Sequence, residues 1–410
     1  MTTIFASAPA RADFLNTHQD YKGLPVVPVA LNLRTTLTAK PRQDFTFKIH
    51  SLDLVMGERS TDIFKVGRNE ILERGFFGNY FRAVMNVIEE RGRSSKIQGL
   101  EITVKSNIPI ASGLASSAAL TVAFAALLDH AFGLGFSKTD LAEISYISES
   151  ERVGTRCGRL DPYGVCFGGV IKLECKPPYK VEQLPFTDLT FAIADSGIRH
   201  STQYVHTKRQ DEINRGLKAL MESRAPPGLK AKLGFNFDQP KWNELSEKEI
   251  VDYLSILDDE VGRRILFTLR MNALNDLALK VLRFELTSSE DLSSALSSVK
   301  LSHIRKLPQV ERDWGILGEI MNEQQILLRD LYDVSLPKIE DICSAALSAG
   351  AYGTKMSGAG MGGSVIALVK NDEMGRKVIN ACLSVGAKHG WVSAVGEGVK
   401  VGSCQGQDIT

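Results

Sequence analysis

The segment Ile108-Pro-Ile-Ala-Ser-Gly-Leu-Ala-Ser-Ser-Ala-Ala119 constrains this chain more than any other. Before it, Leu100-Glu-Ile-Thr-Val104 alternates with the period of a half-buried strand. After it, Ala118 to Ala131 is so rich in alanine and leucine that its apolar residues nearly encircle a helix, which predicts burial. Strand, tight turn and central helix are therefore expected in that order. In such a turn backbone N–H groups can converge on an anion, because glycine permits close approach and the helix N-terminus adds unpaired donors and a favourable dipole. A plain strand-to-helix turn, with Ser116 and Ser117 as ordinary helix caps, is the competing reading. No lysine follows the glycine, so this is not the G-x-x-x-x-G-K-[ST] loop.

The rest of the chain is long enough for two lobes, at 410 residues. Hydrophobic residues at 43% and charged residues at 24% exclude disordered and fibrous classes. The 49 Lys and Arg balance 48 Asp and Glu, so no global field exists to attract nucleic acid or an anionic membrane, and any phosphate site must be local. No apolar run is long enough to span a bilayer, and Met1 to Pro9 lacks a basic region followed by an apolar one, so a cytoplasmic protein is expected. Six cysteines contain no C-x-x-C pair; Cys157, Cys166 and Cys175 are spaced too evenly and too widely for a zinc knuckle and read as small buried thiols.

The first lobe opens with strand-like Val26 to Leu33 and Phe45 to Ile49, followed by a helix on which Tyr80, Ala83, Val84, Val87 and Ile88 share a face. A change of texture near Pro185 marks a boundary, after which come a strand at Leu189 to Ala194 and helical patterns at Thr202 to Glu222 and Ser246 to Glu285, the latter with a capping box at Ser246 and Glu249. Ser223 to Lys241 carries turn formers without periodicity and reads as an exposed loop or flexible insertion. Glycine-rich Ser357 to Gly363 runs into a strand at Ser364 to Val369.

Pro109 to Ala119 resembles the P-x-x-x-G-L-x-S-S-A motif of the GHMP kinases, the superfamily that includes galactokinase, homoserine, mevalonate and phosphomevalonate kinases. Lys355-Met-Ser-Gly-Ala-Gly-Met-Gly-Gly-Ser364 resembles that family's C-terminal glycine motif, and Ala8-Pro-Ala-Arg-Ala-Asp-Phe-Leu-Asn-Thr-His-Gln-Asp-Tyr21 its galactokinase-type opening signature. Phe77 to Val84 is similar to the W-x-N-Y segment and Ser196 to Ser201 to the S-x-V-R-H-S segment, each in family order. The resemblance implies a two-lobed α/β (α+β) GHMP fold, with a ribosomal-protein-S5-like lobe at residues 1–185 and a ferredoxin-like lobe at 186–410.

It also implies an ATP-dependent kinase that uses Mg2+ and phosphorylates a sugar at its anomeric hydroxyl: galactose or a relative such as galacturonate, galactosamine or arabinose. Ser112, Gly113, Leu114, Ala115, Ser116, Ser117 and Ala118 would hold nucleotide phosphates, with Asn79, Tyr80, Gly358 and Gly360 bordering the nucleotide. Ser117 and Glu149, the latter in a segment similar to A-E-H-x-F-x-G, would hold the metal; Glu149 read alone is a solvated acidic helix face. Asp161, in Cys157-Gly-Arg-Leu-Asp-Pro-Tyr163, matches the catalytic aspartate, and Arg11 the arginine beside it; read alone, Asp161 is a turn residue before Pro162. Sugar contacts fall on Arg11, Thr17, His18, Asp20, Asp161 and Tyr204, the last having helix packing as its plain alternative. Thr17 stands where the family has glutamate, Asn16 where it has glycine and Gln19 where it has threonine, which questions recognition of an ordinary C6 hydroxyl. A non-catalytic sugar sensor and a mevalonate-type kinase are the alternatives. No nucleic-acid or membrane partner is expected.

Overall fold

A computed structural model describes residues 2–54, 58–155, 157–199 and 202–405. The chain forms two compact units. One contains residues 1–11, 29–169 and 396–410, the other 12–28 and 170–395. The chain thus passes from one unit to the other at four points, after residues 11, 28, 169 and 395, and the C-terminal strand joins the first unit; Pro185, where the sequence changes texture, lies inside the second unit.

The first unit is built on a six-stranded sheet in the order Lys400–Gln405, Thr2–Leu15, Val27–Pro41, Leu100–Ser106, Thr46–Ser51, Thr61–Lys65. Leu100–Ser106 runs antiparallel to Val27–Pro41 and parallel to Thr46–Ser51. The helix Ser116–Phe132 is buried from Ala118 to Leu128 apart from Leu120, as its nearly continuous apolar surface predicts. Phe124 receives the rings of Phe47 and Phe81 edge-on at 5.7 and 5.0 Å, which ties the helix to the sheet and to the helix Gly78–Glu90. The helix Lys138–Ile147 starts on a Ser137–Asp140 capping box and continues into a π-helical turn, Ser148–Val153, before the helix Leu160–Phe167.

The second unit has an antiparallel sheet in the order His389–Ala394, Thr190–Asp195, Ser364–Val369, Gly353–Ser357. Ser364–Val369 is buried along its whole length, which explains its continuous apolar sequence. The helices include Thr202–Glu222, Asp259–Leu282, Arg312–Asp330, Pro337–Ala349 and Asp372–Ser384. The single helical pattern read from Ser246 to Glu285 is two helices, Glu247–Leu254 and Asp259–Leu282, the first opening on the expected Ser246–Glu249 box.

Residues 223–241 are not a free loop. Leu229 and Leu233 are buried, Phe237 N–H donates to Asn214 Oδ1 at 2.7 Å, and Trp242 Nε1 donates to Phe237 O at 2.9 Å. Isolated apolar anchors of this kind leave no period in a sequence, so the turn formers dominate the reading. Cys166, Cys343 and Cys382 are buried, while Cys157, Cys175 and Cys404 are half-buried. Among the described residues, no helix is long and apolar enough to cross a membrane.

Candidate functional site

In the first unit the turn between Leu100–Ser106 and Ser116–Phe132 has positive φ at alternate residues: Ala111 (55°), Gly113 (79°) and Ala115 (60°). Two of these are alanines, which pay a steric penalty for the left-handed conformation. Alternation of this kind gathers successive N–H groups into an anion-binding concavity. The helix that follows has Ala115 at its N-cap position with no side-chain cap, so Ser116 and Ser117 do not cap it and its first N–H groups keep their anion-binding capacity. The Ser112 hydroxyl is turned inward on the loop, donating to Pro109 O at 2.8 Å.

Arg11, on the strand Thr2–Leu15, grips this loop and one carboxylate together. Its N–H donates to Leu114 O at 3.2 Å and its Nη1 to Gly113 O at 2.6 Å, while Nε donates to Asp161 Oδ1 at 2.8 Å and Nη2 bonds the same oxygen. Asp161 sits in the first turn of Leu160–Phe167, whose orientation is fixed by Glu143: Arg159 Nε donates to its Oε1 at 2.8 Å and Tyr163 Oη to the same oxygen at 2.8 Å.

Glu149, on the π-helical turn, is 2% exposed, so it is no solvated helix face. Burial pushes its carboxyl up to about 7; hydrogen bonds from Ser117 and Thr121 and the charge of Arg11 oppose this, and the charge of Asp161 reinforces it. Thr121 Oγ1 donates to Glu149 Oε1 at 3.2 Å. Tyr80 belongs to the same cluster: burial and then the Glu149 charge push its phenol up to about 12, while hydrogen bonds with Thr155 and Ser117 act the other way. Asn79 serves differently. Its Oδ1 accepts from Leu72 N–H at 2.8 Å and its Nδ2 donates to Leu72 O and Glu73 O at 3.2 and 3.0 Å, so the amide is occupied in pinning the loop before its own helix.

The second unit assembles another set. Residues 13–18 and 355–359 are bonded at four places: Asp13 N–H to Ser357 Oγ at 3.0 Å, Lys355 Nζ to Asp13 O at 2.6 Å and to Thr17 Oγ1 at 2.7 Å, and His18 Nε2 with Ala359 O at 3.1 Å. The opening signature and the C-terminal glycine motif are thus one construction. Asn16 and His18 both have positive φ, 64° and 65°. Burial, followed by the neighbouring His206, lowers the His18 pKa well below its ordinary value, which favours a neutral ring. Asp20 opens the 3-10 turn Asp20–Lys22 and is half-buried. Tyr204 is 62% exposed on Thr202–Glu222; from that helix it is His206 that faces His18, with ring centroids 5.2 Å apart. Gly358 and Gly360 have φ of 91° and 86°, and a Cβ on Gly360 would lie 2.5 Å from Val334 O. Of the segment Ser196 to Ser201, Ser196 Oγ donates to Gly363 O at 2.7 Å, whereas His200 and Ser201 lie outside the described residues.

Sequence reasoning missed Lys355, His206 and Glu143. Lys355 lies inside the C-terminal glycine motif, three residues before its first glycine, and that place was the available signal. The others act through contacts distant in sequence, which no local pattern reveals.

Three family models match the chain: the N-terminal domain of GHMP kinases at residues 79–169, the C-terminal domain of GHMP kinases at 304–388, and the galactokinase galactose-binding signature at 2–41. The chain belongs to the GHMP kinase superfamily. Within it, the chain is 26% identical to the galactokinase of Roseiflexus sp. strain RS-1 over 90% of its own length and 84% of that protein's. It is also 26% identical to the galactokinase of Haemophilus influenzae, over 96% of its own length and 94% of that protein's. The fold matches Lactococcus lactis galactokinase, solved in complex with galactose, with a TM-score of 0.76 at 24% identity, covering 97% of this chain and 95% of that one. A mevalonate kinase matches with a TM-score of 0.61 at 17% identity, covering 95% and 98%.

Proposed function

We propose that this protein transfers the γ-phosphate of ATP to the anomeric hydroxyl of galactose or a closely related sugar. The observation that carries the reading is the dual engagement of Arg11, which holds the carbonyl of the phosphate-loop Gly113 and the carboxylate of Asp161 at the same time. A kinase needs an anion cradle and a proton acceptor in fixed mutual placement, since positioning and electrostatics supply nearly all of its catalysis.

In this reading the N–H groups of Ser112 to Ser117 and the start of the following helix receive the nucleotide phosphates. Asp161 accepts the proton of the attacking hydroxyl through Oδ2, because both bonds from Arg11 fall on Oδ1. Arg11 orients that carboxylate and adds a positive charge where charge builds up in the transition state. Oxygen donors of the Glu149 and Ser117 kind fit Mg2+, and a buried carboxylate that burial keeps from ionising readily is relieved by a cation. Glu149 and Ser117 would hold that ion, which supplies charge neutralisation to the phosphates. Thr17, His18 and Asp20 contribute to sugar recognition, supported by the galactose-binding signature that spans them. Asn79 acts by holding the loop around Leu72 rather than by touching nucleotide.

ADP release measured with ATP, Mg2+ and galactose or its relatives tests the reading. Sugar-dependent ADP release that Asp161→Ala abolishes is the expected result. Sugar binding without any turnover would replace it with a sensor.

A further inference from the structure

The helix Leu160–Phe167, which carries Asp161, is 8 residues long and opens at Arg159 with no side-chain cap. A helix so short and uncapped does not hold its own place, so packing has to supply it. The residues two before and two after Asp161 both reach one carboxylate. Glu143 takes a two-pronged ion pair from Arg159, Nε to Oε1 at 2.8 Å and Nη2 to Oε2 at 3.1 Å, and the Tyr163 hydroxyl donates to Oε1 at 2.8 Å. Arg159 Cζ also lies 3.9 Å from the centre of the Tyr146 ring, one turn beyond Glu143 on the helix Lys138–Ile147. At the other end, Cys166 Sγ donates to Lys138 O at 3.2 Å. Tyr163 is fully buried, and Arg159 and Glu143 expose only 22% and 18% of their side chains. A bidentate pair in that setting is directional and less screened than one in open water. All these contacts run between the helix of Asp161 and Lys138–Ile147, which passes directly into the turn of Glu149. A single element therefore indexes both carboxylates of the site.

We propose that Glu143 is a positioning residue for phosphoryl transfer: it braces the backbone on both sides of Asp161 and so sets where Oδ2 stands relative to the phosphate loop. The proposal rests on the reading of Asp161 as proton acceptor. Arg11 fixes one oxygen of that carboxylate, Oδ1, and the main chain that carries it has to be held by something else. Both oxygens of Glu143 are engaged by Arg159 and Tyr163, so its part is to hold Asp161 and not to touch a substrate. A displacement of about 1 Å at a reacting group can cost roughly 10²-fold in rate, which is the scale on which such a brace acts. Loss of the brace therefore falls on kcat and leaves substrate binding in place.

The test is kcat and KM for the full chain carrying Glu143→Gln, Asp161→Asn or both, with ATP and whichever of galactose and its relatives turns over fastest. Glu143→Gln keeps the shape and an acceptor for Tyr163 but loses the ion pair. Its kcat should fall roughly 10- to 100-fold, with KM for ATP and sugar within about threefold of wild type. Added to Asp161→Asn, the same substitution should cost less than about threefold, because the base it places is already gone. A merely structural role would cost its full factor a second time. Tyr163→Phe removes one bond, keeps the ring stacked on Phe167 at 5.8 Å and should lower kcat by a smaller factor; circular dichroism and Tm report folding, and this variant decides the matter if Glu143→Gln does not fold. A folded Glu143→Gln with wild-type kcat, or the full factor repeated beside Asp161→Asn, overturns the proposal while leaving the sugar-kinase reading intact. No sugar-dependent turnover by wild type, or wild-type kcat in Asp161→Asn, overturns the reading of the site and the proposal with it.

Discussion

Arg11 delivers both of its bonds to Asp161 onto one oxygen, Oδ1, and Asp161 keeps 26% of its side chain exposed. A carboxylate pinned through one oxygen and presented through the other suits proton acceptance at a fixed place. Asp161→Asn preserves shape and removes basicity, so kcat should fall about 10²- to 10⁴-fold with KM for the sugar changed only a few-fold. Steady-state kinetics on the purified variant check this. A variant within threefold of wild-type kcat would remove Asp161 from the chemistry.

Glu149 makes stability depend on pH in an unusual direction for a carboxylate. Its folded-state pKa of about 7 lies above the ordinary 4.5, so the folded state holds the proton more tightly than the unfolded chain. The associated stability is fully present below pH 4.5 and is lost as pH rises to about 7, a change of about 3 kcal/mol. Glu149→Gln should flatten that slope and be the more stable protein at pH 8 in metal-free buffer. Urea midpoints across this range supply the measurement; parallel curves for the two proteins would contradict the assignment.

Asn79 holds Leu72 and Glu73 through three bonds from one buried amide. Asn79→Ala should cost about 1–3 kcal/mol in denaturant titration, since buried backbone groups lose their partners. Proteolysis should quicken at residues 66–77, and KM for ATP should rise with kcat little changed. Unaltered KM would confine Asn79 to stability.

Gly360→Ala meets two obstacles, a φ of 86° and a Cβ placed 2.5 Å from Val334 O. The left-handed conformation alone costs about 1–2 kcal/mol, and the clash adds to it. The Tm should drop by several degrees. Gly228→Ala, where nothing lies within 4 Å of the added Cβ and φ is unexceptional, is the matched control and should leave Tm nearly unchanged.

The features legible in the sequence are those written locally. The anion loop, its central helix and the glycine motif each announce themselves through small residues between periodic runs, and the structure places them accordingly. The capping box at Ser246 and Glu249 was readable for the same reason. What stayed hidden depends on partners far along the chain. Lys355 reaches Thr17 across 338 residues, so nothing near either one signals the bond. The burial of Glu149 follows from its packing and not from its charged neighbours, which point to the opposite environment. Tyr204 and His206 lie two residues apart on one helix, and only the three-dimensional setting shows that His206 faces His18.

The π-helical turn at Ser148–Val153 carries one more residue than an α-turn would, with Gly154 and Thr155 N–H both donating to Glu149 O. Such a turn is how an insertion of a single amino acid survives within a helix. Deleting one residue among 150–152 should restore a regular coil and swing Glu149 away from Ser117 and Thr121. That deletion would make a better helix at the expense of the carboxylate's place, so the irregular turn is what keeps Glu149 in register with Ser117 and Thr121.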